Sequence, residues 1–176
     1  MSDALEDRSG LPEALRALME GPAREGWEAH PAFGPLTRFW LDRHLGFRRL
    51  LAALRADAEA GPEGFDPARL TRLGGAFLGG LEEHHSVEDG HYFPRLARHA
   101  PALERGFAIL DADHVRLHEE LEGFAGAANA VLRGEAGALG RHADGLARME
   151  RFLDRHLTDE EDLVVPVILR VGEGRL

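Results

Sequence analysis

Two segments of the chain repeat one pattern at identical spacing, His84-x3-Glu88-x5-Pro94 and His156-x3-Glu160-x5-Pro166. Imidazole is the commonest protein metal ligand, and a carboxylate four residues further along a helix sits one turn away on the same face. Each pair can therefore reach one ion, or a position shared by two. A third segment adds His114 and His118, again four apart, and His44 lies four residues beyond Trp40 on an apolar stripe. Five imidazoles and two carboxylates are thus candidates for one site. Burying so many polar groups without a partner is expensive, and a bound cation is the natural compensation. Imidazole with carboxylate suits iron, manganese or zinc, and two carboxylates among seven ligands suit bridging between two ions about 3.5–4 Å apart. The chain has no cysteine, which removes thiolate zinc sites, cysteine-ligated iron–sulfur clusters, disulfides and cysteine nucleophiles.

Helical periodicity supplies the elements that must position these residues. Trp40, His44, Phe47, Leu51 and Leu54 recur at three or four residues from Leu36 until Gly61-Pro62, which reads as a first helix. Asp66-Pro67 offers an N-cap and an N1 proline for a second, whose stripe of Leu70, Leu73, Phe77, Leu81, His84, Glu88 and His91 continues to about His99. Pro101 opens a third, with Phe107, Leu110, His114, His118, Leu121 and Leu132 in phase, ended by Gly134; the fourth runs from near Glu135 through His142, Leu146, Leu153, His156 and Glu160 toward Pro166. Strand signals are nearly absent. The expected fold is all-α, an up-down-up-down four-helix bundle over 36–176 preceded by an N-terminal arm, 1–35, in which 11–20 forms a short amphipathic helix. At about 1.5 Å per residue, the seven candidates fall at matching heights in such a bundle to within about a turn. Pro94 and Pro166 lie inside helical patterns and are each expected to kink or end the helix.

Blander readings cover most other residues. The leucine and phenylalanine stripes are core, and charge-rich faces such as 148–155 are solvated surface. A lone histidine on a stripe, such as His142, is more often a hydrogen-bonded core residue, and His142 lies too far along the axis from His156 to share an ion. His85 points about 100° away from His84 and is expected at the surface or beside the ligands, unless the register exchanges the two. His91 is in phase to orient Glu88 or line a pocket, His30 and His99 sit at loops or helix ends, and Tyr92 lies off the stripe. A ferritin-type dimetal bundle needs Glu-x-x-His on two different helices; Glu82-x-x-His85 and Glu88-x-x-His91 share one.

Composition sets the outer bounds. A chain of 176 residues suits one domain with a real core. All 21 basic residues are arginine, against 31 acidic ones, for a formal charge of -10. That balance argues against a nucleic-acid surface and against anionic membranes. No apolar run approaches the roughly 18 residues of a membrane span, and the acidic start does not resemble a signal peptide, so a cytoplasmic protein is expected.

The segments EEHHSVEDGHYFP (82–94), DADHVRLHEEL (111–121) and DRHLTDEEDLVVP (154–166), with RFWLDRHLGFRRL (38–50) as the first helix, resemble the hemerythrin-like, HHE cation-binding family over about residues 36–170. The resemblance implies a non-haem di-iron centre in a hemerythrin-like four-helix bundle, two iron ions joined by an oxo or hydroxo bridge. Carried over by position, His114, His118 and His156 would ligate one iron and His44 and His84 the other, with Glu88 and Glu160 bridging. With the bridge counted, the two-histidine iron would be five-coordinate, with an open position for dioxygen, peroxide, nitric oxide or azide. Oxygen-carrying hemerythrins are similar but place an aspartate five residues after the last histidine; here that position is Glu161, while Glu160 at four matches the second-helix repeat. A five-residue step rotates about 140°, so Glu160 is the expected bridge, which argues against reversible oxygen carriage.

Two functional classes fit such a centre. One is oxygen binding or sensing without turnover. The other is an enzyme or scavenger consuming peroxide or nitric oxide, or a supplier of iron for cluster repair, though the first 35 residues lack the cysteine often attached in the repair branch. Metal storage or a zinc-stabilised bundle is the non-redox reading. The expected partner is a small diatomic or peroxide ligand; the sequence names no protein partner.

Overall fold

In the computed structural model, which describes residues 3–19 and 21–176, every regular element is helical. The arm contains α1 (Glu13–Arg16) and a 3₁₀ turn at Arg24–Gly26, and the chain continues through α2 (Pro35–Glu59), the single turn α3 (Gly61–Gly64) and α4 (Pro67–Val87). A π-helical turn, Glu88–Tyr92, leads into α5 (Phe93–His99), followed by α6 (Glu104–Leu132) and α7 (Ala138–Val171). The helix expected over 11–20 is thus a single turn, and position 20 lies outside the described residues.

Local chemistry explains the ends. Asp66 caps α4 by accepting from Ala68 N at 2.9 Å, with Pro67 at the first helical position. The start of α2 is capped from the far end of the chain: Glu173 accepts from the backbone N–H groups of Gly34, Leu36 and Thr37 and from the Thr37 hydroxyl. Glycines at positive φ, Gly134 and Gly137, turn the chain between α6 and α7.

Each of α2 and α6 packs on both α4 and α7, closing a ring of four. Paired residues run in opposite directions along every neighbouring couple. Arg48 meets Asp154 and Arg55 meets Glu150; Arg43 meets Gly80 and Asp57 meets Arg69; Phe77 meets Phe124 and His85 meets His114; Asp113 meets His156 and Glu120 meets Arg148. Neighbours are therefore antiparallel, as the short connections require.

The core divides along the axis. Leu51, Leu54, Phe77, Leu81, Leu117, Phe124 and Met149 fill one end, and Phe93, Leu96, Phe107, Leu110, Leu163 and Ile168 fill the other. Between them lies a layer of buried histidine and carboxylate. The arm belongs to this packing: Leu5 joins the first cluster, Leu11 and Leu15 join the second, and Trp27 packs with Val165 and Leu169.

The two prolines behave differently. Pro94 has no N–H to give the carbonyl of Gly90 and would crowd it, and the wider π turn immediately before absorbs the misfit. That turn adds a residue to the cycle, so burial jumps from Glu88 to Phe93 and Leu96, and His91 faces solvent rather than the pocket expected for it. Pro166, expected to kink or end its helix, does not end α7, which runs five residues further to Val171.

Candidate metal centre

Four helices send side chains into the polar layer. Two groups of ligand atoms gather there, His85 with His114 and His156, and His44 with His84, Glu88 and Glu160; within each group the atoms lie within 4.8 Å of one another. Nε2 of His44 and Nε2 of His84 are 2.9 Å apart, and Nε2 of His114 and Nε2 of His156 are 3.2 Å apart. The carboxylates lie between the groups. Glu160 Oε2 is 3.5 Å from both His44 Nε2 and His156 Nε2, while Glu88 sets Oε1 3.0 Å from His84 Nε2 and Oε2 3.7 Å from His114 Nε2.

Six of the seven residues expected from the sequence meet here, and His118 does not. Its side chain is 61 % exposed, 3.7 Å from Glu122 on the outer face of α6. The buried positions of α6, Leu110, Asp113, His114, Leu117, Glu120 and Leu121, centre about 60° to one side of His114, and a four-residue step carries His118 about 40° to the other. His85 stands in its place, its ring stacked on that of His114 at 4.0 Å and 11°. On α4, Leu81 points to the bundle axis, with His84 about 60° to one side and His85 about 40° to the other. Adjacent histidines on one helix thus serve opposite halves of the site, His84 toward α2 and His85 toward α6 and α7. A 100° separation excludes a shared ion, but it does not exclude a site wide enough for two.

Three of the five imidazoles have a carboxylate partner at the outer nitrogen. His44 Nδ1 lies 3.0 Å from Glu161, His114 Nδ1 2.7 Å from Asp89 and His156 Nδ1 3.2 Å from Asp113. A carboxylate there holds the proton on Nδ1 and leaves the Nε2 lone pair facing inward, the arrangement in which histidine ligates a metal. Trp40 Nε1 donates to Glu160 Oε1 at 2.7 Å and fixes that carboxylate, leaving Oε2 free. Glu161 accepts from Arg48 and Arg24 as well as facing His44, so it is an outer partner while Glu160 faces the centre.

Electrostatics explain why the layer calls for a cation. Both oxygens of Glu88, Oε2 of Glu160 and Nε2 of His85 are buried without a hydrogen-bond partner. Burial, with Asp89 nearby, pushes Glu88 up to about 8, and burial beside Glu88 drives Glu160 well above the usual carboxylate range. Desolvation brings His84 down to about 3, helped by the positive charge of Arg43, and takes His85 and His156 well below the ordinary imidazole value. Burial opposes ionisation of Glu161 too, but hydrogen bonds with His44, Arg48 and Arg24 outweigh it and hold that group at about 2. The depressed His84, His85 and His156 offer free lone pairs, a divalent cation would offset the cost of ionising two carboxyls side by side, and the donor set of nitrogen and oxygen fits iron.

The remaining histidines lie elsewhere. His142 is buried against Phe124 in the first core cluster, and His99 and His91 are exposed. Tyr92, expected away from the site, packs on Trp40 at a ring distance of 5.0 Å and lines a cavity beside His84 and Glu88. No helix among the described residues is long and apolar enough to cross a membrane.

No curated relative and no solved structure matches the chain. The family model of the hemerythrin HHE cation binding domain matches residues 36–168, a span from the first turn of α2 nearly to the end of α7 that includes every histidine and carboxylate of the two groups. With its helical bundle and its layer of inward-facing imidazoles, the chain belongs to the hemerythrin HHE cation-binding family.

Proposed function

We propose that the protein holds two non-haem iron ions and binds dioxygen or a related small oxidant beside His44 and His84. The observation that carries this reading is the unequal supply of nitrogen, three imidazoles in one group and two in the other, with Glu88 and Glu160 facing both. If both carboxylates bridge, one ion has five protein ligands and the other four. An oxo or hydroxo bridge would complete six at the first and leave one position free at the second. When bound, such an iron pair supplies the electrons and the free position that binding a diatomic or peroxide ligand needs.

The chain's own residues support an approach to that side. A cavity of about 230 Å³ borders His84 and Glu88, walled by Leu36, Phe39, Trp40, Val87 and Tyr92, with Arg43 and Glu83 beside them. Its volume is several times the roughly 30 Å³ of a water molecule, and its aromatic and aliphatic walls favour a small, weakly hydrated ligand. Trp40 joins wall and centre, because the ring that lines the cavity also holds Glu160 through its Nε1–H.

Titrating the iron(II)-loaded protein with dioxygen under an optical spectrometer tests the reading. Visible bands that appear under air and fade on deoxygenation, without net consumption of oxygen, are expected. Steady consumption of peroxide or nitric oxide with no stable coloured form would replace binding by scavenging, and loss of iron to an acceptor would replace it by iron delivery.

A further inference from the structure

The family match begins at residue 36, yet two arginines upstream of it reach the histidine layer, one on each half. Arg8, with a side chain 2 % exposed, directs Nη1 and Nη2 to the two oxygens of Asp113 and Nε to Asp159 Oδ2 at 2.9 Å. Asp113 Oδ2 is the atom that faces Nδ1 of His156 at 3.2 Å. On the other half, Arg24 donates to Oε2 of Glu161, whose Oε1 faces Nδ1 of His44 at 3.0 Å. The same three-part contact therefore occurs twice: arm guanidinium, carboxylate, outer imidazole nitrogen.

A carboxylate bonded only to a histidine keeps freedom to rotate. A guanidinium fork on both of its oxygens fixes its plane, and with it the ring it orients. The segment that delivers Arg8 is itself anchored, since Leu5, Leu11 and Leu15 are buried in the two core clusters and Leu11 N donates to Asp159 at 3.1 Å. We infer that the N-terminal arm is a working part of the centre: Arg8 and Arg24 are positioning residues that, through Asp113 and Glu161, hold His156 and His44 with Nε2 turned inward as metal ligands. The inference rests on the metal-binding reading of the layer. The two ends are not equal. Glu161 also accepts from Arg48 Nη1 at 2.7 Å, a residue of α2, whereas the guanidinium on Asp113 is that of Arg8. Losing Arg8 should therefore cost more than losing Arg24.

The test uses the full chain with Arg8→Met, Arg24→Met, Asp113→Asn and the double variant Arg8→Met/Asp113→Asn. One readout is the rate at which the loaded protein gives up iron(II) to a chelator. The other is nitrogen NMR of the metal-free imidazoles, which reports the tautomer of His156 and His44. Arg8→Met is expected to speed iron loss about tenfold, the lower end for an outer partner of a metal histidine, and Arg24→Met to have a smaller effect. In the Asp113→Asn background Arg8→Met should add nothing, because the arm acts through that carboxylate. His156 should carry its proton on Nδ1 in the parent and become a mixture of tautomers in Arg8→Met. Additive effects in the double variant, or an unchanged release rate and tautomer in Arg8→Met, would overturn the inference. If Arg8→Met does not fold, Arg8→Lys, which keeps the charge without the fork, carries the same test with an intermediate rate expected. A parent chain that takes up no iron would sink the metal reading instead, and the tautomer measurement would still decide whether the arm orients His156.

Discussion

Replacing His85 by alanine should cost the loaded protein much more than the empty one. In the empty state the ring is 7 % exposed and its Nε2 has no partner. Truncation leaves a cavity, which for large side chains costs about 2–5 kcal/mol. It also removes an unsatisfied buried polar atom, which is worth about 1–3 kcal/mol in the other direction. The net loss of stability should be near 1 kcal/mol, a small shift in urea midpoint. In the loaded state, on the proposed reading, the variant gives up one of the three nitrogens that would hold one ion. Loss of a mere outer partner weakens metal affinity 10- to 100-fold, so loss of a direct ligand should reach at least the upper figure, about 2.7 kcal/mol. His118→Ala is the matched control: the residue is exposed on α6, and its removal should stay within about 0.5 kcal/mol in both states. Competition with an iron(II) chelator, alongside urea unfolding of loaded and empty protein, measures both quantities. If His118→Ala releases the metal and His85→Ala does not, the three-histidine group is wrongly assigned and the facing of α4 and α6 with it.

Three further outcomes are expected. Stability of the empty protein should fall as pH rises from about 6.5 to 8. In this interval Glu88, held up at about 8 by burial, keeps a proton that the unfolded chain released near 4.5, and the depressed His84 no longer contributes because its unfolded form has also lost its proton. Urea midpoints at the two pH values check the sign, and at pH 7 metal loading should release protons, visible as acidification of a weakly buffered solution. Trp40→Phe keeps an aromatic wall but removes the 2.7 Å donor to Glu160, so iron(II) affinity should drop about tenfold in the same chelator assay. Gly106→Ala would bring a Cβ to 2.8 Å and 2.9 Å from the δ-methyls of fully buried Leu163, and thermal unfolding should show a loss of about 1–3 kcal/mol with iron(II) affinity unchanged.

Much of this was legible in the sequence, for a physical reason. The bundle follows from apolar residues at three- and four-residue intervals, and the paired His-x3-Glu units mark one height on two helices because i,i+4 geometry is rigid. What spacing does not reveal is how wide an inward face is. His85 and His118 are both near neighbours of true inward positions, and only the centre of burial on each helix separates them: Leu81 on α4, and Leu117 beside His114 on α6. The π turn before Pro94 was likewise hidden, since the extra residue shifts phase without any change of composition, and it sends His91 outward. The arm itself was legible, but its reach to the site was not. Arg8 and Arg24 reach Asp113 and Glu161 across more than a hundred residues of sequence, and no local period encodes such a contact.

On the proposed reading the histidine layer is a dinuclear centre. Elemental analysis of the protein loaded anaerobically with iron(II), after removal of loosely bound metal, tests it most directly. Two iron ions per chain are expected, falling in His85→Ala and unchanged in His118→Ala. One ion or none in the parent protein would contradict it.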